Sequence, residues 1–165
     1  MRRVVITGIG IWSSIGQNLQ EVITSLQNGV SGVVADDERL AFGLHTALVG
    51  NVKRPKLRGL LDRKYRDYLS EDSESAFMAA SEAFAEANVD DAYLLQNEVG
   101  VIWGADGGVG NLVDSYEIMR EEKDSLMVGP TALFRGETSS PSMNLSTIFH
   151  LKGINFSLGA ACASS

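Results

Sequence analysis

One thiol, Cys162, stands in the run Ala160-Ala161-Cys162-Ala163-Ser164-Ser165, directly after a stretch whose apolar residues alternate as in a β-strand. Its small neighbours leave room for a thioester, and the order of residues reads as a strand-to-helix turn. A free thiol is only a few per cent thiolate at neutral pH. A following helix would raise that fraction by presenting unpaired N–H groups and the positive end of its dipole. Taken without its surroundings, a lone cysteine is more simply a buried structural thiol.

Two glycine-rich stretches invite a nucleotide or phosphate reading. In Gly8-Ile9-Gly10-Ile11-Trp12-Ser13 the third glycine of a dinucleotide motif is replaced by Ser13. The next helix starts only near Asn18, and no acidic residue stands about 20 positions on, where a ribose would need one. A tight strand-to-loop exit is the better expectation. Gly104-Ala105-Asp106-Gly107-Gly108-Val109-Gly110 lacks the lysine and hydroxyl residue of a P-loop. Its glycines, Gly107 and Gly108 among them, are expected to bring backbone close beside a site. His45 and His150 have no metal-ligand spacing with Cys162, so both read as structural or surface residues and no metal is expected. No cofactor is implied either.

The elements that would carry these residues alternate between strand and helix. Val4 to Thr7 patterns as a buried strand closed by glycines. Asn18 caps a helix with Glu21 three residues on, an apolar face of Leu19, Val22, Ile23 and Leu26, and a stop at Gly29. A second helix runs from about Glu71 to Ala87, capped by Ser70, with Phe77, Ala80, Phe84 and Ala87 as its buried stripe. Val99 to Trp103 reads as another buried strand. Met143 to Leu151 reads as a helix stopped by Gly153, and Ile154, Phe156 and Leu158 as the inward positions of a half-buried strand. The order implies an α/β fold with parallel strand pairs.

Composition narrows the function classes. With 165 residues, 44% of them hydrophobic, the chain is large enough for one globular domain with a core. Its net charge of -7 argues against a general attraction to nucleic acid or anionic membrane. No apolar run approaches the roughly 20 residues that span a bilayer. Arg2 and Arg3 ahead of an apolar run resemble a secretory signal, but no small-residue cleavage site follows, and an N-terminal strand explains the run. A single cysteine excludes an intramolecular disulfide framework, which makes a reducing cytoplasm the simplest setting.

Several segments, in order along the chain, resemble a known family. Arg3-Val4-Val5-Ile6-Thr7-Gly8-Ile9-Gly10, Ser13-Ser14-Ile15-Gly16 and Ser31-Gly32-Val33 look like the opening of the β-ketoacyl-acyl carrier protein synthases, especially the type I bacterial branch. Gly153-Ile154-Asn155-Phe156-Ser157 leading to Ala161-Cys162-Ala163-Ser164-Ser165 resembles their active-site segment. Gly50-Asn51-Val52 and Asp62-Arg63-Lys64 match between them. The resemblance implies a thiolase-type fold, two similar halves packed in α/β/α/β/α layers. Residues 1–165 then form the N-terminal half, ending just after the active-site cysteine. It further implies that Cys162 accepts an acyl group from an acyl carrier protein and that malonyl-carrier protein is decarboxylated to attack the thioester. The family's two catalytic histidines and its lysine belong to the second half, so this stretch by itself is expected to be inactive. Fatty-acid synthesis leads; a polyketide-type ketosynthase and a non-catalytic partner subunit are the alternatives. Such partner subunits usually lack the cysteine that is present here. A homodimer is expected, since the family pairs two chains through this half.

Charge points to the same partner. Seven of the fourteen Lys and Arg residues, Lys53, Arg54, Lys56, Arg58, Arg63, Lys64 and Arg66, lie between Lys53 and Arg66, with Asp62 the one acid among them. Acyl carrier proteins are strongly acidic, and complementary patches speed encounter. Arg63 and Lys64 match the family's docking positions, and Arg66 is expected to stand in for a cation at Asp67. Glu137 departs from the small apolar residues usual near the acyl tunnel. A carboxylate unpaired in an apolar channel is costly, so it is expected either to point elsewhere or to signal a substrate other than an ordinary fatty chain.

Overall fold

Asn18 caps the first helix as its sequence requires: the side-chain oxygen accepts from the Glu21 N–H at 2.9 Å, and Glu21 accepts in turn from the Gln17 N–H at 2.8 Å. At the other end Gly29 adopts φ +62°, and the Val30 N–H reaches back to the Ser25 carbonyl at 2.9 Å, the six-to-one bond of a glycine-terminated helix. The computed structural model describes residues 3–105 and 109–164. Along the chain the elements are α1 (Leu19–Gln27), β1 (Val33–Ala35), α2 (Asp37–Ala41), β2 (Leu48–Gly50), α3 (Arg63–Arg66), α4 (Glu71–Glu86), α5 (Asp91–Gln96), β3 (Val101–Gly104), α6 (Gly110–Glu122), a 3₁₀ turn (Ser125–Val128), α7 (Ala132–Gly136), α8 (Ser140–Ile148) and β4 (Asn155–Leu158). They form two units: Met1–Pro55 with Met78–Asn88, and Lys56–Phe77 with Val89–Ser165.

In the first unit the apolar face of α1 buries only Val22, while Leu26 is exposed. β1 and β2 pair antiparallel with Val34 opposite Val49. The strand expected over Val4 to Thr7 does not form: these residues pair with no strand among those described, and Val4 is 92% exposed. A strand needs a hydrogen-bonded neighbour, and here the chain runs alongside α4 instead. The N–H groups of Ile9 and Ile11 donate to the carboxylates of Glu86 and Glu82, and Glu82 also accepts from the Leu19 N–H at 2.8 Å. A side chain at Gly8 or Gly10 would collide with the backbone of α4 at Ala83 or Ala79, so both glycines serve a close backbone approach.

The second unit is built on β3 and β4, which lie parallel with Val101 opposite Asn155 and Trp103 opposite Ser157. The connection between them runs through α6, α7 and α8, as a parallel pair demands. β3 is shorter than the expected Val99–Trp103 strand and only half-buried, with Ile102 67% exposed. α8 packs on one face of the pair and begins at Ser140, three residues before the expected start. Pro141 sits in its first turn, where a missing N–H is harmless. It ends at Ile148, closed by the Leu151 N–H on the Ser146 carbonyl with His150 at φ +54°, so His150 rather than Gly153 makes the stop.

β4 is turned opposite to expectation. Ser157 points inward and Asn155 bonds α8, while Ile154, Phe156 and Leu158 are exposed. The cause lies in α8, whose facing residues are polar: Ser142 and Ser157 share a hydrogen bond at 3.0 Å, and Asn155 donates to the Ser146 hydroxyl at 2.7 Å and to the Ser142 carbonyl at 3.2 Å. The core of this unit gathers Leu57, Leu69, Ala76, Phe77, Leu94 and Leu145, with the Phe77 and Phe149 rings stacked at 5.6 Å. Ser70 caps α4 as expected, accepting from the Ser73 N–H at 3.1 Å. The buried face of that helix differs from the expected stripe, however: Phe77 is buried with Ser73, Glu74 and Ala76, while Ala80, Phe84 and Ala87 are half-buried.

Candidate active site

Cys162 is a free, exposed thiol on a tight turn that leaves the end of β4. The Ala163 N–H bonds the Ala160 carbonyl at 3.1 Å and the Ser164 N–H the Ala161 carbonyl at 3.0 Å. Ala161, immediately before the thiol, has φ +50°, a left-handed conformation that costs a non-glycine residue on the order of 1 kcal/mol. The Ser164 hydroxyl accepts from the Ala160 N–H at 2.6 Å and closes the turn. Beneath it lies the end of β3: the Ala105 N–H continues the ladder to the Leu158 carbonyl at 3.0 Å, and a side chain at Gly104 would strike the Ser164 backbone. The first glycine of the rich loop thus brings backbone close to the cysteine turn. Gly107 and Gly108 lie outside the described residues.

This arrangement suits covalent chemistry. The thiol is open to solvent, its neighbours carry nothing larger than a methyl or hydroxymethyl group, and the bonded turn fixes its direction. A buried structural cysteine would not be open to solvent.

The three expected docking cations share α3, and they are not equivalent. The Arg63 guanidinium is 84% exposed and sits 3.4 Å from Asp67, a surface pair of little energetic weight. The Lys64 ammonium lies 4.7 Å from the centre of the Tyr65 ring. Arg66 is half-buried and spends its Nε–H on the Leu61 carbonyl at 3.0 Å, which secures the start of the helix. Asp67 therefore pairs with Arg63, and Arg66 faces partly inward. Next to α3 is a cavity of about 350 Å³ lined by Lys64, Tyr65, Tyr68, Phe134, Met143 and Thr147, with the Tyr68 and Phe134 rings edge to face at 5.6 Å. Its walls come from three separate segments, too far apart along the chain for any motif to announce it.

Glu137 is exposed, so its carboxylate points to solvent. His45 and His150 are both exposed. Among the described residues no group of His, Cys, Asp and Glu side chains is placed to hold a metal ion, and no helix is long and apolar enough to cross a membrane. At Gly8-Ile9-Gly10 the backbone donors already face carboxylates, which repel a phosphate.

The model of the β-ketoacyl synthase N-terminal domain matches residues 1–165. The chain belongs to the β-ketoacyl synthase family. It is 39% identical to 3-oxoacyl-[acyl-carrier-protein] synthase 1 of Escherichia coli (strain K12), over all of this chain and 41% of that protein. The crystal structure of a β-ketoacyl synthase from Burkholderia phymatum superposes with a TM-score of 0.80 at 25% identity, covering 93% of this chain and 38% of that one. The ishigamide ketosynthase/chain length factor shares the fold with a TM-score of 0.79 at 21% identity, covering 96% and 40% of the two chains. The chain thus spans about two fifths of the length of these relatives, and its α/β architecture is the thiolase-like fold of ketosynthases.

Proposed function

We propose that Cys162 is the acyl-accepting nucleophile of a β-ketoacyl-acyl carrier protein synthase acting in fatty acid synthesis. The observation that carries this reading is the exposed thiol on its bonded turn of small residues, in a chain matched throughout to the synthase N-terminal domain. The Cys162 thiol gives up its proton, the thiolate attacks the carbonyl of an acyl thioester, the carbonyl-to-carrier sulfur bond breaks, and the carrier leaves as a thiolate that takes up a proton. Malonyl-carrier protein then loses CO₂, and the carbanion so formed attacks the Cys162 thioester. The new carbon-carbon bond yields the β-ketoacyl product on the carrier and returns the cysteine. Splitting the condensation in two replaces one difficult step by two easier ones. Cys162 and its turn serve the first step, while proton transfers in the second fall to the two histidines and the lysine of the family's second half.

The partner is an acidic acyl carrier protein that meets α3 through Arg63 and Lys64, with Arg66 supporting the helix from behind. The presence of Cys162 speaks against a non-catalytic partner subunit. A cytoplasmic homodimer is the form in which we place the enzyme. Incubating the full-length chain with acyl-carrier protein and weighing it by intact mass spectrometry tests the assignment. The wild type gains one acyl mass and Cys162→Ala gains none; equal acylation of both removes Cys162 from the mechanism.

A further inference from the structure

Helices usually meet sheets through apolar side chains, but α8 meets β4 through hydroxyls and amides. Ser142 and Ser157 share a hydrogen bond at 3.0 Å, and the Asn155 amide donates to the Ser142 carbonyl at 3.2 Å and the Ser146 hydroxyl at 2.7 Å. On the opposite side of α8 the polar seam continues. The Asn144 amide lies 2.8 Å from the Ser140 carbonyl, 3.1 Å from the Ser140 hydroxyl, and 3.3 Å from both the Ser73 hydroxyl and the Tyr68 carbonyl. Ser73 in turn shares hydrogen bonds with Ser140 at 3.1 Å and Ser70 at 2.8 Å. Ser73 and Ser140 are fully buried, at 0% exposure.

We propose that Ser142, Asn155 and Ser157, anchored through Asn144, are positioning residues that fix the strand leading to Cys162 against α8. The inference rests on Cys162 being the nucleophile, and it assigns a role to groups that touch neither substrate nor thiol. Apolar contacts are non-directional and tolerate sliding, whereas hydrogen bonds require aligned donors and acceptors and so hold one geometry. Slipping a strand by one residue would move it about 3.3 Å and turn every side chain to the other face. Ser157 stands five residues before Cys162, with the strand end and the closed turn between them, so the seam sets where the thiol is presented. Asn144 carries the constraint to the Tyr68 carbonyl, two residues beyond α3. The docking helix and the nucleophile strand are thereby registered against the same helix, α8.

The test is a comparison of two reactions at the same thiol in the full-length chain. Transfer from acyl-carrier protein demands correct orientation, while alkylation by iodoacetamide is far less demanding. A misplacement approaching 1 Å costs an oriented reaction up to about a hundredfold, so a partial release of the seam is expected to cost on the order of tenfold. Ser157→Ala and Ser142→Ala each slow single-turnover acyl transfer by that factor, with KM for the carrier and the pH profile of alkylation unchanged. Ser157→Thr, which keeps the hydroxyl, restores the rate. If acyl transfer per folded molecule stays within twofold of wild type while Tm falls, the seam only stabilises and the proposal is overturned. Equal losses in acyl transfer and alkylation overturn it too, because the thiol itself would then have changed. Failure of the nucleophile assignment is seen separately, as acylation of Cys162→Ala.

Discussion

A carboxylate and a phosphate compete for the same kind of backbone N–H group, and at Ile9 and Ile11 the carboxylates of Glu86 and Glu82 have it. Two glycines make this possible by letting the chain lie against the backbone of α4, where no other residue fits. Gly10 therefore works by absence of volume. Gly110, at the start of α6, has no heavy atom within 4 Å of where a side chain would begin. Substituting alanine at the two positions should have opposite effects. Gly10→Ala forces backbone apart and is expected to destabilise by about 1–3 kcal/mol. Gly110→Ala removes freedom from the unfolded chain and is expected to stabilise by roughly 0.4–1 kcal/mol. Urea denaturation of the two variants beside the wild type measures both, and equal shifts in midpoint would contradict the account of Gly10.

Among the elements, α3 carries the clearest separation between cations left in solvent and a cation tied to the backbone. Arg63 and Lys64 face solvent, while Arg66 is tied to the Leu61 carbonyl. Reversing Arg63 and Lys64 to Glu in the full-length chain is expected to weaken carrier-protein binding at low salt by at least tenfold and to flatten its salt dependence, since exposed charges act through screened, long-range attraction. Arg66→Gln should instead lower stability with a smaller effect on binding. Affinity at low ionic strength, measured by titration calorimetry, decides; an unchanged value for the double reversal would leave α3 an ordinary charged surface. The same scale shows what a sequence can disclose. Asn18, Glu21 and Gly29 specified α1 because caps act within a few residues of themselves. The orientation of β4 was hidden, because alternation in Ile154, Phe156 and Leu158 says that two faces differ but not which face a helix will cover. The polar side of α8 decided that, and polar residues in a helix read ordinarily as its solvent face. β1 and β2 went unseen because three residues each are too few to show a period. Cys162 stood out as a candidate through its small neighbours and the family resemblance around it, whereas the cavity beside α3, assembled from residues 64–68, 134 and 143–147, was not legible.

For the molecule as a whole, the question is what the uncovered face of the β3–β4 pair does. Ile102 is 67% exposed, Phe156 46% and Leu158 48%, and Ile154 beside them is also open. α8 covers the other face and meets β4 through polar contacts. Burial is worth roughly 25 cal/mol per Å², and exposed apolar groups on adjacent strands invite association. Residues 1–165 expressed alone are therefore expected to self-associate at micromolar concentration and to bind the dye ANS. Phe156→Ser with Ile102→Thr should reduce both, leaving the α8 seam untouched. The same segment is expected to show no condensing turnover in a malonyl-decarboxylation assay, because under the proposed function Cys162 supplies only the acyl-accepting step and the acids and bases belong to the family's second half. Sedimentation velocity of the segment and its double variant, read beside ANS fluorescence and CO₂ release, covers all three expectations. A clean monomer that leaves ANS dark would show that this face is protected by the segment itself. Measurable CO₂ release would show that residues 1–165 hold more of the catalytic machinery than Cys162 and its turn.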